Sequence, residues 1–231
     1  MKMQIASTTD RTARHTLQTF LVAAAIWTAA TLSYFWLLGP LGVEDGLNDA
    51  AVFYAAFYAV WAGVAFLSFR RSHFGWLTAD MMRRYIRPGI LLAVVLFGIA
   101  AIGIPSLPDL PFGSPDGPPH PFDMSSAYFL PKSAEILLQQ LLIAVIAIEL
   151  KSRQLTDIKV AALVALLFGG AHVMLVYIYP EPVIIVRLTA AGSLLGALAP
   201  WLMLRLRGGF LVSYTVHWGF YAWLAPLFWI G

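Results

Sequence analysis

Cysteine is absent from this chain of 231 residues. That excludes disulfides, thiolate metal sites and a cysteine nucleophile, and leaves the redox compartment open. Charge is scarce as well. Asp, Glu, Lys and Arg make up 12% of the residues, roughly half the share carried by a soluble domain of this size. No polar stretch is long enough for a separate soluble domain, so residues 1–231 read as a single transmembrane domain. The polar N-terminal stretch has no apolar core ending in a small-residue cleavage site, which makes the first apolar block a retained anchor rather than a cleaved signal. No internal repeat is evident.

What the chain has in quantity is apolar surface: 60% of its residues, with a mean hydropathy of +0.76. These residues fall into blocks of about 20, the length a helix needs to cross about 30 Å of hydrocarbon. Seven such segments run Leu17–Leu38, Ala50–Phe69, Gly89–Ile104, Ala127–Leu150, Val160–Ile178, Val183–Leu204 and Phe210–Trp229. The expected fold is all-α, a polytopic integral membrane bundle of seven transmembrane helices.

Charge orients this bundle. Lys2, Arg11, Arg14, Arg70, Arg71, Arg83, Arg84, Arg87, Lys151, Arg153, Lys159, Arg205 and Arg207 all fall on the side of the N-terminus, thirteen of the fifteen basic residues. The opposite loops hold Glu44, Asp45, Asp49, Asp109, Asp116, Asp123 and Glu181, without Lys or Arg. The positive-inside rule then places the N-terminus in the cytoplasm and the C-terminus outside, in a plasma (inner) membrane. The net charge of +3 is explained by those loops, so no nucleic-acid partner is expected; lipids are the first partner. The loop Arg70–Pro88, basic with interleaved Trp76, Met81, Met82 and Tyr85, suits an anionic leaflet surface. Pro105–Ser126, rich in Pro, Gly and Asp, reads as an outer loop able to cap what lies beneath it. Gly192 and Gly196 form a small-xxx-small pair that lets another helix approach closely.

Polar groups inside spans are costly, by at least about 2.5 kcal/mol for a charge at mid-membrane, and so mark candidate sites. Lys132, Glu135, His172, Arg187 and His217 qualify, with Gln139 and Gln140 beside them. Glu135 lies roughly 12 Å below the outer end of its span, and His217 roughly 17 Å below, at 1.5 Å per residue. With His172, they share one layer on three helices. Lys132, Glu135 and Gln139 fall on one face, as do Phe168 and His172, and Ser213, His217 and Tyr221. A structural role is the alternative for each. Lys132 can neutralise Glu135, Lys132 and Arg187 can snorkel outward, and each histidine can be a hydrogen-bonded core residue.

Three motifs carry a family resemblance: Ala134-Glu135-Ile136-Leu137-Leu138-Gln139, Phe168-Gly169-Gly170-Ala171-His172 and His217-Trp218-Gly219-Phe220-Tyr221. In order and spacing this half of the chain, Pro131 to Tyr221, resembles the CPBP family of glutamic intramembrane proteases (CAAX-processing and bacteriocin-processing, or Abi, proteins). The family pattern is Glu-Glu-x-x-x-Arg, then Phe-x-x-x-His, then His-x-x-x-Asn. The resemblance implies a CPBP-like core over about residues 127–231, preceded by N-terminal helices in 17–104. In one register Glu135 matches the second glutamate, Ala134 replaces the first and Gln139 replaces the arginine. A shift of one residue makes Glu135 the first glutamate and puts Gln140 at the arginine. Tyr221 stands where the family has asparagine. The implied function is endoproteolysis of a membrane-anchored protein or peptide. Glu135 with His172 would activate water, while His217 and the Tyr221 hydroxyl would stabilise the oxyanion. Lys132, Gln139 and Phe168 would support them.

No cofactor is expected on this reading. Two histidines and a glutamate are nonetheless a feasible zinc set, although without His-Glu-x-x-His spacing. His172 and His217 at similar depth also suit axial ligation of a haem or chlorophyll-type tetrapyrrole. The alternative from another class is a non-catalytic scaffold or assembly subunit of a larger membrane complex, with other membrane subunits as partners. A transporter is disfavoured by the lack of an inverted repeat or paired broken helices.

Overall fold

The computed structural model describes residues 2–74, 91, 94–95, 127–174, 182–206 and 208–221. Most of Arg70–Pro88, nearly all of the expected third span Gly89–Ile104, the whole loop Pro105–Ser126, and the ends of the fifth and seventh spans lie outside them. Among the described residues there is no strand. The helices are α1 (Lys2–Leu41), α2 (Gly46–Asp49), α3 (Ala51–Phe69), α4 (Phe129–Ser152), α5 (Asp157–Val173), α6 (Pro182–Arg205) and α7 (Gly209–Gly219). Four stretches are long and apolar enough to cross a membrane: Arg14–Leu41, Ala51–Phe69, Phe129–Ser152 and Ile185–Arg205. The chain is all-α and of membrane-protein type.

Helix ends follow local chemistry. α1 begins 15 residues before the expected Leu17. No Gly or Pro interrupts the chain before Gly39, so the polar stretch propagates as helix. Its other end is a Schellman motif. Gly42 takes φ +64, its N–H donates to Gly39 O at 3.0 Å, and Val43 N–H donates to Leu38 O at 3.1 Å. Asp45 then caps α2 by accepting from Leu47 N–H at 2.9 Å. Thr156 begins α5 by accepting from Lys159 N–H at 3.4 Å. Gly208, at φ +71, reverses the chain between α6 and α7.

α4 is the central helix, packing on α1, α2, α3, α5, α6 and α7. In its most apolar window 61% is buried inside the protein, against 22% for α1 and 28% for α3. The reason is chemical. α4 carries Lys132, Gln139, Gln140 and Glu149, all buried, and none of these can face hydrocarbon without partners. The peripheral helices instead expose Leu21, Trp36, Val60, Leu67 and Leu194, as lipid-facing surfaces do.

α5 and α6 form the closest helix pair, and the expected small-xxx-small motif explains it. A Cβ on Gly196 would meet Ala165 Cα and Val164 O at 3.0 Å, so glycine there lets the two backbones touch. A Cβ on Gly169 would clash more closely still, with the Ser193 hydroxyl of α6.

Basic loops gather at one end of the bundle. Lys151 Nζ stands 2.6 Å from Asp157 Oδ1, and Arg205 Nε stands 2.5 Å from Asp157 Oδ2, tying the α4–α5 turn to the end of α6. Glu149, one turn before the end of α4, reaches both Thr16 of α1 and His73 beyond α3 at this same end. The chain therefore leaves α3 at the Glu149 end and enters α4 at the opposite one.

Candidate functional site

The site is built on the first three turns of α4. Lys132 Nζ lies 2.9 Å from Glu135 Oε2, and Gln139 Nε2 donates to Glu135 Oε1 at 2.8 Å. One helical face thus satisfies both carboxylate oxygens from residues three positions before and four after. Lys132 does not snorkel. Its side chain is 8% exposed, because α4 is enclosed by other helices and because two aromatic rings receive the ammonium. Its Nζ is 4.1 Å from the ring centre of Tyr221 and 5.8 Å from that of Tyr128, within cation–π range. Arg187, the other basic residue expected inside a span, is half-buried near the start of α6.

From Tyr221 a series of ring contacts leads to both histidines. The His217 ring stacks on Tyr221 with centroids 5.6 Å apart and planes 24° apart. Phe168 meets His217 edge-on at 6.0 Å and His172 at 5.1 Å, while Trp27 of α1 buttresses Phe168 at 5.3 Å. Glu135, Lys132, Tyr221, His217, Phe168 and His172 therefore form one contiguous set across α4, α5 and the end of α7. The charges of Lys132 and Glu135 are within electrostatic reach of His172.

His172 has a defined tautomer. Its Nδ1 lies 2.7 Å from Phe168 O, and a carbonyl can only accept, so the proton is on Nδ1 and the Nε2 lone pair is bare. A bare Nε2 is what a general base or a metal ligand needs. Gly192 of α6 sets the ring position: a Cβ there would meet His172 Nδ1 at 2.6 Å and Cε1 at 2.8 Å. Two buried polar atoms at the site have no partner among the described residues, His217 Nε2 and Gln139 Oε1. Among the described residues, no three His, Asp or Glu side chains are placed to hold a metal ion together.

A second polar cluster lies at the other end of α4 and did not register as a site in the sequence. Glu149, 3% exposed, accepts from Thr16 Oγ1 at 2.7 Å and from Arg153 at 2.6 Å. His73 Nε2 stands 3.2 Å from the same carboxylate and His15 Nδ1 3.5 Å. Burial pushes the His73 imidazole below its ordinary pKa, opposed by its hydrogen bond to Glu149. The position of Glu149 at the end of an apolar block makes it look like a loop carboxylate. Only the packing of α1 and the 70–74 turn against α4 reveals that it is enclosed.

Chemically, the first cluster offers one carboxylate already neutralised by an ammonium, one imidazole with a free lone pair, and a second imidazole whose Nε2 is unpartnered. That inventory suits acid–base chemistry on a polar substrate admitted to the bundle interior. No protein-family model, no curated protein and no solved structure matches this chain.

Proposed function

We propose that the chain is an intramembrane endopeptidase of the CPBP type that processes a membrane-associated peptide or protein. Glu135 and the bare Nε2 of His172 hold and deprotonate a water poised over a peptide carbonyl. His217, with the Tyr221 hydroxyl, donates to the oxyanion of the tetrahedral intermediate. The observation that carries the reading is the unbroken set of contacts from Glu135 through Lys132, Tyr221, His217 and Phe168 to His172. Such a convergence of polar side chains from three helices has no counterpart in a purely lipid-facing bundle. The seven-span, N-in and C-out arrangement in a plasma membrane belongs to the same proposal. Its support is the alternation of α4, α5, α6 and α7 between the two ends and the gathering of Lys151, Arg153 and Arg205 at one of them.

The test compares new N-termini of membrane proteins in cells producing the wild-type chain, Glu135→Gln or His172→Ala. Each substitution is expected to abolish the same cleavages. Cleavage that survives both sinks the reading.

One observation favours a second reading. Both oxygens of Glu135 are already engaged by Lys132 and Gln139 on its own helix, as suits a carboxylate with a structural rather than a catalytic role in a non-catalytic assembly subunit. That reading gains if no cleavage depends on the chain and it co-purifies with stoichiometric membrane partners.

A further inference from the structure

His217 is 1% exposed, and its two ring nitrogens have different surroundings. Nδ1 lies 2.9 Å from Gln140 Nε2. The other end of the same amide, Gln140 Oε1, accepts from Ser213 Oγ at 2.7 Å. Ser213 sits one turn before His217 on α7, whereas Gln140 comes from the middle of α4. The other nitrogen, Nε2, has no partner among the described residues.

The direction of this relay follows from the serine. Helical hydroxyls commonly return their proton to the carbonyl four residues back, and in this protein Ser33, Ser133 and Thr215 do so. Among the described residues Ser213 makes no such bond, so its proton goes to Gln140 Oε1. With its oxygen occupied as an acceptor, the Gln140 amide presents N–H to His217. An imidazole nitrogen that accepts a hydrogen bond carries no proton, and the ring proton is therefore on Nε2. The amide of Gln140 thus imposes on His217 the tautomer opposite to the one Phe168 O imposes on His172.

We infer that Gln140 is a positioning residue: with Ser213 it fixes His217 as an Nε2–H donor, aimed at a buried acceptor subsite for a carbonyl-type oxygen. A buried N–H without an acceptor costs about 1–3 kcal/mol, and a ligand oxygen placed against Nε2 recovers that cost. The same tautomer has no lone pair on Nε2, so His217 serves as neither a zinc ligand nor an axial tetrapyrrole ligand through that atom. The carbonyl as occupant rests on the peptidase reading, whereas the tautomer rests on the Ser213–Gln140–His217 geometry alone.

The test is nitrogen-15 and carbon-13 NMR of histidine-labelled full-length protein in lipid bilayers, with the His217 signals identified by their loss in His217→Gln. The expected spectrum has a protonated Nε2 and a bare Nδ1 for His217, and the reverse pair for His172. Gln140→Glu replaces the donating amide by an acceptor, and is expected to move the His217 proton onto Nδ1 and to lower kcat for any cleavage more than tenfold with little change in KM. A wild-type His217 protonated on Nδ1, or a His217 tautomer unchanged by Gln140→Glu in folded protein, overturns the inference. The expected tautomers in a protein that cleaves nothing would leave the relay standing and remove only the peptidase reading.

Discussion

His73 Nε2 stands 3.2 Å from Glu149 Oε2 although 76 residues separate them in sequence. The contact joins the turn after α3 to the last turns of α4, and Thr16 brings α1 to the same carboxylate. α1, the turn after α3 and α4 are held together there.

Removing this carboxylate takes an acceptor from each of its donors. Glu149→Ala leaves His73 and Thr16 facing a void and deprives the Arg153 guanidinium of its 2.6 Å contact at a site only partly open to water. Loss of one partner from a buried ionic cluster typically costs about 3–5 kcal/mol, and the partial exposure of Arg153 places this case near the lower end. Denaturant titration of detergent-solubilised protein measures it. An unchanged midpoint would mean that the cluster contributes nothing to holding α1.

The same cluster makes stability depend on pH. Burial lowers the His73 pKa below 6.5, its ordinary value, so the folded protein favours the neutral ring while the unfolded chain takes up a proton sooner. The contribution of His73 is fully present above pH 6.5 and is lost as pH falls below that value through the folded pKa. His15 and Glu149 are the other titratable groups facing it. Comparing wild type with His73→Gln across this range isolates the effect, and the stability difference between them should shrink as the solution is acidified. A difference independent of pH would refute it.

Two glycines on adjoining helices give a matched pair of substitutions. Gly192→Ala drives a methyl into the His172 ring, and overpacking of this kind costs about 1–3 kcal/mol. It should also displace the imidazole and abolish any activity that uses it. Gly170→Ala, two residues before His172, meets nothing within 4 Å and should gain up to about 1 kcal/mol from helix propensity. Thermal unfolding of the two variants should therefore move in opposite directions.

The absence of native cysteine allows topology to be read with single reporters. Glu44→Cys, in the linker between α1 and α2, and Ser152→Cys, at the end of α4, are both exposed positions. A membrane-impermeant thiol reagent applied to intact cells should label the first and spare the second. Labelling of both from the same side would refute the proposed arrangement.

Much of the architecture was legible from periodicity and length. α3, α4 and α6 agree with the expected spans to within two residues at every end, because an apolar block bounded by Pro, Gly or charge has few alternatives in hydrocarbon. α1 extends beyond the expected span Leu17–Leu38, since hydropathy locates the membrane-crossing part of a helix and is silent about a polar continuation of it. At the site, the pairings of Glu135 with Lys132 and with Gln139 follow from spacings of three and four on a single helix. The partnership of Gln140 with His217 does not, as it depends on how α7 is rotated against α4. The enclosure of Glu149 by α1 and the 70–74 turn is absent from the local sequence for the same reason.

The sequence by itself determined that this is a membrane-type helical protein, that Lys132, Glu135 and the two histidines place polar groups inside its apolar blocks, and which of them share a helical face. Those properties depend on the order of residues along one helix and on the cost of charge in hydrocarbon. Tertiary structure alone decided that α4 lies at the centre, that Phe168 and Tyr221 link the two histidines to the Lys132–Glu135 pair, and which nitrogen of each imidazole holds the proton. These depend on helix rotation and close packing between segments far apart in the chain, which no local pattern encodes.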